Sequence, residues 1–431
     1  MSSKVTRILA WIGVGALALL AVGLALRAVL NYSYGKKLES FLAEMKASGT
    51  PMTLKDVEPT CPAGDNGAPL WNAAAALLNL ENEDKNLLAK GFLALRSRNA
   101  PGNDIRGSLE SIIAKNQKAI QLMLDASRKP CFKDEEKWLD HDRDVLAARL
   151  VKLIGASRLL ALDSVLKAEQ GRIEEAVAEC LAGFRLLTKG LEDAFMINDL
   201  VLVACAKQLI LALQVSVSGR ELPAPLLSQI IAELDGSVWH DGMIRALRIE
   251  RVLVQDHSLR AIRGIEKSSW LLRPITKSKI IWMAPVWDRI IRDAQRPYYE
   301  SDGLSRAMKD SEKDTPWFLR TFIPYMATFA FKEATLEAFL EVTRLGIACK
   351  IYKAEHGIFP DSLTQLVPAI LPSIPFDPFT GQPFIYKRTD SGINIYSVGS
   401  NKKDDGGRET WEITQVVMEK DDDWFWRETI R

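Results

Sequence analysis

Oxygen-bearing side chains gather near the C-terminus, in the segment SNKKDDGG at residues 400–407. Two adjacent carboxylates beside flexible glycines can offer side-chain and backbone oxygens to a hard cation such as Ca²⁺, which takes about 6–8 oxygen ligands. The positive charges of Lys402 and Lys403 in the same segment would repel a divalent cation. The segment therefore predicts either part of a calcium site or a solvated acidic turn.

A second group of titratable residues lies in KDEEKWLDHDRD at residues 133–144. His141, Asp142 and Asp144 would form a metal or acid–base site if their side chains converged. The same acidic residues also suit the start of a helix that runs from Val145, because carboxylates stabilise the positive end of a helix dipole. Helix capping is the interpretation that we favour for this group.

No common catalytic signature occurs in the sequence. It has no G-x-S-x-G, no H-E-x-x-H, no Walker glycine loop with its lysine and no G-x-G-x-x-G. The four histidines show no metal-ligand spacing. His240 and Asp241 are adjacent, so on a helix they do not face each other. The sequence leaves enzymatic activity uncertain and favours a protein without it.

The charge of the chain is balanced, with 56 Lys and Arg against 55 Asp and Glu in 431 residues. A formal net charge of +1 provides no global field that would attract nucleic acid. We therefore expect protein partners and no nucleic-acid partner, and the sequence does not identify a small-molecule substrate.

Residues 352–407 resemble the C-terminal region of type II secretion major pseudopilins. The resemblance rests on three segments in order: YKAEHGIFPDSLTQLVP, IPFDPFTGQPFIYKR and NIYSVGSNKKDDGG. In that family a helix ends in a tyrosine-containing turn and an N-G-x-Y-P type segment. A D-P-x-G-x-P-x-Y strand entry follows, and then a Y-S-x-G loop rich in acidic residues and glycine. This similarity implies export, an α+β module and a place in the cell envelope.

The resemblance also implies a calcium ligand set, because the corresponding acidic loop binds calcium in that family. Asp404 and Asp405 are then the best candidate ligands, and Asn401 and backbone carbonyls near Val398 are weaker ones. The N-terminus departs from the family, since it shows no prepilin-peptidase glycine and its first glutamate is Glu39. Processing and assembly into a pseudopilus are therefore not expected.

An uncharged apolar run extends from Ile8 to Leu26. Its 19 residues in a helix approach the thickness of about 30 Å of a bilayer's hydrocarbon core. We predict a transmembrane anchor, and a cleaved signal peptide and a buried helix are the alternatives. Basic residues flank both ends of the run, so the positive-inside rule does not decide its orientation. The pseudopilin resemblance favours a bulk outside the cytoplasm.

Five cysteines occur without any C-x-x-C pair, which argues against a zinc ribbon or a redox motif. Cys180, Cys205 and Cys349 fall in apolar helical patterns, where small buried thiols are expected. Cys61 and Cys131 lie next to prolines in predicted loops. A disulfide between these two in an oxidising compartment, or two separate thiols, would both fit the pattern.

Most of the chain carries the three- and four-residue apolar spacing of helices, above all from Leu70 to about Leu213. The two runs around Gly171 resemble one tetratricopeptide-type hairpin, and a generic antiparallel hairpin is the alternative. Residues 239–297 mix tryptophans with arginines, which suits either a membrane surface or a solvated helix face. Near the C-terminus, two β-favouring segments around a TDSG turn predict a hairpin, with residues 410–417 as a third strand.

The predicted architecture is mainly α, with an N-terminal transmembrane helix, a helical bundle domain and a small pseudopilin-like α+β module that contains an antiparallel sheet. The predicted divisions are an anchor, a juxtamembrane helix and loop, a helical domain and the module, at residues 1–33, 34–69, 70–330 and 331–431. We expect a membrane-anchored structural or protein-interaction protein of the cell envelope, associated with a secretion-type system. A membrane-tethered enzyme with its site in the helical domain and a calcium-dependent binding module are the alternatives.

Overall fold

The computed structural model describes the elements of a mainly helical protein. The described residues are 3–134, 143–190, 192, 195–234, 236–265, 270–301, 323–389, 392–407 and 424–429. The helices are α1 Ser3–Ala47, α2 Ala68–Leu77, α3 Asn82–Arg96, α4 Asn103–Lys115, α5 Gln117–Ser127, α6 Arg143–Glu169, α7 Ile173–Gly190, α8 Met196–Val217, α9 Ala224–Glu233, α10 Ser237–Arg263, α11 Arg273–Ala294, α12 Tyr298–Ser301 and α13 Ile323–His356. The strands are β1 Ile385–Thr389, β2 Gly392–Ser397 and β3 Trp424–Thr429. The predicted helical architecture, apolar N-terminal helix and small antiparallel sheet are confirmed.

The chain divides into two compact units, each formed by two stretches of sequence. The smaller unit comprises Met1–Glu58 and Arg248–Ile291, and the larger unit comprises Pro59–Leu247 and Arg292–Arg431. Helices α10 and α11 each contain residues of both units.

Helix α1 is long and apolar enough to cross a membrane, and its described side chains from Trp11 to Leu24 are exposed. The helix continues without a break into residues 34–46, for which a juxtamembrane helix is predicted. There it packs in the smaller unit through Leu38, against Leu259 of α10 and Ile280 of α11. Helix α8 also has the length and composition of a span, but most of it is buried in the larger unit.

The larger unit is built around α6, α7 and α8. Gly171 has a φ of +80° between α6 and α7, a conformation that glycine adopts without the strain of a Cβ atom and that ends the first helix. Gly183 allows close packing, since a Cβ atom there would lie 2.9 Å from Leu209 Cδ1. Cys180, Cys205 and Cys349 are free and buried, as predicted.

One ion-pair network is buried between α6 and α7. Lys167 Nζ lies 2.9 Å from Asp163 Oδ2 and 2.7 Å from Glu179 Oε2. Burial, and next the Asp163 charge, raise the pKa of Glu179 to about 8, and Lys167 opposes that increase. The lysine therefore supplies the main compensation for two carboxyls that lie away from water.

Cys61 and Cys131 form a disulfide, with 5.9 Å between their Cα atoms. Backbone hydrogen bonds join the same two loops, from Gly67 N to Cys131 O and from Cys131 N to Asp65 O. The loop before α2 is thus attached to the segment after α5 by both covalent and hydrogen bonds.

The C-terminal region places a three-stranded antiparallel sheet against α13. Helix α13 ends at His356, and Gly357 follows with a φ of +78°, as its sequence predicts. Strands β1 and β2 form the predicted hairpin, with Ile385 opposite Tyr396, and β3 pairs with the other edge of β2. The third strand predicted at 410–417 lies outside the described residues.

Candidate functional sites

A cavity of about 380 Å³ opens into the larger unit beside α13. The start of α10, the end of α11, α12 and the first half of α13 form its wall. Its lining residues are Gly236, Ser237, His240, Met243, Asp293, Ala294, Gln295, Arg296, Pro297, Tyr298, Ala330, Glu333, Ala334, Glu337 and Glu341.

Three carboxyls of α13 line this cavity in a row. Glu333, Glu337 and Glu341 follow one another at intervals of four residues, which places them on one face of the helix with a rise of about 6 Å between neighbours. Glu333 and Glu341 are only 6% and 7% exposed, and Glu337 is half-buried. We call these three residues the carboxyl row.

Glu341, at one end of the row, already has charged and dipolar neighbours. Its carboxylate lies 2.7 Å from Arg344 Nη1. A Cβ atom at Gly236 would lie 3.2 Å from Glu341 Oε1, so glycine at that position allows the start of α10 to approach the carboxylate. The positive end of the α10 dipole stabilises the negative charge there.

Glu333, at the other end, faces Asp199 of α8. Both side chains are buried, and neither Asp199 oxygen nor Glu333 Oε1 has a hydrogen-bond donor among the described residues. Burial raises the pKa of Asp199 to about 7. Burial, and next the Asp199 charge, raise the pKa of Glu333 well above its usual range. If the two carboxyls share one proton, the protonated carboxyl donates a hydrogen bond to the other carboxylate. The shared proton would thus supply the missing donor.

Glu337 occupies the middle of the row, and no donor among the described residues hydrogen-bonds to it. Burial raises its pKa to about 7, and the negative charges of Glu341 and Asp377 add to the effect. A carboxyl with this pKa exchanges its proton near neutral pH. It can therefore either accept a cation or take part in proton transfer.

His240 also lines the cavity, from the first turns of α10. Burial lowers the pKa of its imidazole, and the neighbouring Asp241 opposes that change only in part. The neutral imidazole adds a polar group but no positive charge near neutral pH. Asp241 does not line the cavity, which agrees with the expectation that the two adjacent side chains do not act together.

The predicted calcium loop has its own internal hydrogen bonds. Tyr396 Oη and Gly406 N donate to Asp404 Oδ1 at 2.7 and 2.9 Å. These two bonds lower the pKa of Asp404. Asn401 Nδ2 donates to Asp405 Oδ2 at 2.7 Å, so the structure joins Asn401 to Asp405 and directs Asp404 to β2.

A lysine of β1 lies near this loop, since Lys387 Nζ is 3.7 Å from Asp404 Oδ2. Within the described ranges, no three His, Cys, Asp or Glu side chains form a group that could hold a metal ion. Calcium sites also draw on backbone and amide oxygens. Calcium binding by Asp404, Asp405 and Asn401 stays a prediction.

The segment DPFTGQP at residues 377–383 folds around Asp377. This buried carboxylate accepts hydrogen bonds from Phe379 N at 2.9 Å and from Val398 N at 3.0 Å. It thereby joins the turn before β1 to the loop after β2. Burial raises the pKa of Asp377, and the backbone donors oppose the increase.

The predicted cluster at residues 133–144 lies partly outside the described residues. His141 and Asp142 lie outside the described residues, and Asp144 lies in α6 with no description of its side chain. The site that sequence reasoning missed is the carboxyl row. Its signal is a glutamate at every fourth position of an otherwise apolar helix segment, FKEATLEAFLEVTRL.

No family model, curated protein or solved structure matches this chain.

Proposed function

We propose that the chain is a single-pass membrane protein of the cell envelope that acts by binding a protein partner. Helix α1 serves as the anchor through residues 8–26, and the bulk of the chain lies outside the cytoplasm. Two observations support this proposal: the exposed apolar surface of α1, and the bond between Cys61 and Cys131. Disulfides persist mainly in oxidising compartments outside the cytoplasm.

The carboxyl row carries the binding role. A lysine or arginine side chain of a partner would place its positive charge beside Glu337, which has no donor among the described residues. The methylene groups of the same side chain would contact Met243, Ala330 and Ala334, which also line the cavity. A buried carboxylate without a donor is unfavourable, and a charged hydrogen bond removes that cost.

Titration of the full-length protein in detergent with tetralysine tests this role. We expect the parent to bind and Glu337→Gln to weaken binding by about tenfold or more, because a hydrogen bond to a charged group contributes about 1.5–3 kcal/mol. Glu355→Gln is the matched control, since it removes the same charge from an exposed position of α13. Equal affinities of the parent and the Glu337→Gln variant would refute the role of the row.

Topology is tested separately with reporters fused after Arg431 that are active only inside or only outside the cytoplasm. Activity of the external reporter supports the proposed orientation. Activity of the internal reporter would refute it, because a chain with a single span cannot have its bulk outside the cytoplasm and its C-terminus inside.

We also propose that residues 331–431 form a pseudopilin-like module and that the protein is associated with a secretion-type system. The hydrogen bonds of Asp377 support it, since they join the segment DPFTGQP at residues 377–383 to the loop after β2. An experimental structure whose hairpin and acidic loop do not superpose on those of a major pseudopilin would remove this part.

Calcium binding at the acidic loop has a direct test. The double variant Asp404→Ala with Asp405→Ala should lose any increase in melting temperature that calcium gives the parent and that a chelator reverses. If the parent and the double variant respond equally to calcium and chelator, the loop is not the site.

Enzymatic activity is the second candidate function, and the cavity favours it. A carboxyl whose pKa is about 7 in a solvent-accessible cavity suits general acid–base catalysis near neutral pH. Chromogenic ester, glycoside and peptide substrates would test hydrolysis by the parent and by Glu337→Gln. Hydrolysis by the parent that the variant loses would support the enzyme, and activity that survives in the variant would exclude Glu337 as its acid or base.

A further inference from the structure

Apolar side chains are exposed on one segment of the smaller unit. Ile265, Trp270, Leu271, Leu272 and Ile275 are each between 49% and 62% exposed. We call these five residues the apolar patch. Together they form a surface that water disfavours and that a lipid or a protein would cover.

The patch lies beside the predicted end of the membrane span. The guanidinium carbon of Arg27, the first residue after the apolar run, lies 3.8 Å from the centroid of the Trp270 ring. Lys277 Nζ donates to Asn31 O at 3.1 Å, one turn further along α1. Residues 270–277 therefore run beside residues 27–31 of α1, which rise only about 8 Å beyond the end of the run.

That level corresponds to the headgroup layer of a bilayer, which extends about 5–8 Å beyond the hydrocarbon core on each side. Tryptophan is enriched in this layer because its ring is apolar and its N–H is polar. An arginine at the end of a span extends its guanidinium into the same layer. The Arg27–Trp270 contact is thus of the kind that the interface favours.

The charge of the segment also suits a lipid surface. Between His257 and Trp287 the sequence carries six Lys and Arg and one acidic residue, Glu266. Basic residues next to a span are attracted to anionic headgroups within about a Debye length of the membrane. The packed face of the same segment is separate, since Ile280, Met283 and Trp287 are buried.

We propose that the apolar patch binds the headgroup layer of the membrane into which α1 inserts. The smaller unit then has two contacts with the bilayer, the span and this surface. The inference rests on the proposed insertion of α1, and it does not depend on the carboxyl row or on which side of the membrane the unit faces.

Photo-crosslinking tests the proposal on the full chain in nanodiscs that contain anionic and zwitterionic lipids. A benzophenone amino acid replaces Leu271 or Ile275 in the patch. Leu20 in the span is the positive control. Lys46 is the negative control, because it is exposed on α1 about 30 Å beyond Leu26.

We expect lipid adducts at both patch positions and at the span position, and none at Lys46. We also expect the yield at the patch to fall when the anionic lipid is omitted, with no such change in the span. Adducts in the span but not at the patch would overturn the proposal. Adducts from the patch to a co-purified protein would overturn it too, and would assign the patch to a protein partner.

Discussion

Replacing Glu337 by glutamine should change how the stability of the protein depends on pH. The native state raises the pKa of this carboxyl from 4.5 to about 7, through burial and then through the charges of Glu341 and Asp377. The unfolded chain loses the proton near its ordinary pKa, while the folded chain keeps it until about pH 7. Between these values the folded state binds more protons, so its free energy of unfolding falls as the pH rises.

The size of this loss follows from the pKa shift. A change from 4.5 to about 7, at about 1.4 kcal/mol per pKa unit, corresponds to about 3 kcal/mol. Glutamine has nearly the same shape and never ionises. The variant and the parent should therefore have similar stability near pH 4, and the variant should be more stable by up to about 3 kcal/mol at pH 8.

Urea unfolding of the full-length protein in detergent, followed by circular dichroism from pH 4 to pH 8, measures this difference. The titrating groups Glu333 and His240 of the cavity, and Asp199 beside Glu333, are present in both proteins, so the comparison isolates Glu337. Glu355→Gln, on the exposed part of the same helix, should follow the parent at every pH. A difference between parent and Glu337→Gln that is constant with pH would refute the reasoning, because it would show that the carboxyl titrates normally.

Three further predictions concern the larger unit, and urea unfolding measures each of them. Replacing Cys61 and Cys131 by serine should lower the free energy of unfolding by about 4 kcal/mol, because the disulfide closes a long loop, with a sequence separation of 70. Reduction of the parent is the control and should cause an equal loss. An unchanged unfolding midpoint in the variant would contradict the prediction. Asp377→Ala should cost about 2–4 kcal/mol, because one buried and one partly buried N–H group lose their acceptor. A change within error would show that the turn keeps its shape without the carboxylate. Lys167→Met should cost about 3–5 kcal/mol, because it leaves two buried carboxyls without their cation. An unchanged unfolding midpoint would show that the ion pairs do not contribute to stability.

Local patterns predicted much of the fold. The apolar run at the N-terminus, the three- and four-residue spacing of the bundle helices and the stop at Gly357 depend on neighbours along the chain, and the structure contains each of them. The hairpin around the TDSG turn was predicted for the same reason, since turn residues and alternating strands are read over a few positions.

The carboxyl row shows where local patterns were insufficient. Its spacing is visible in the sequence, but glutamates at every fourth position are also typical of a solvated helix face. Only the packing of α10 and α11 around α13 encloses them in a cavity. The raised pKa of Glu337 comes from that burial and from Asp377, which lies 40 residues away in the sequence.

The tryptophans in residues 239–297 differ in their exposure to solvent for a similar reason. Trp239 and Trp287 are buried, whereas Trp270 and Trp282 are exposed. The sequence by itself determined which segments are helical, apolar or charged, because those properties depend on residue type and on spacing along the chain. The tertiary structure decided which carboxyls share a cavity, which cysteines bond and which tryptophan lies beside the end of the apolar run, because these depend on distances between segments that are far apart in the chain.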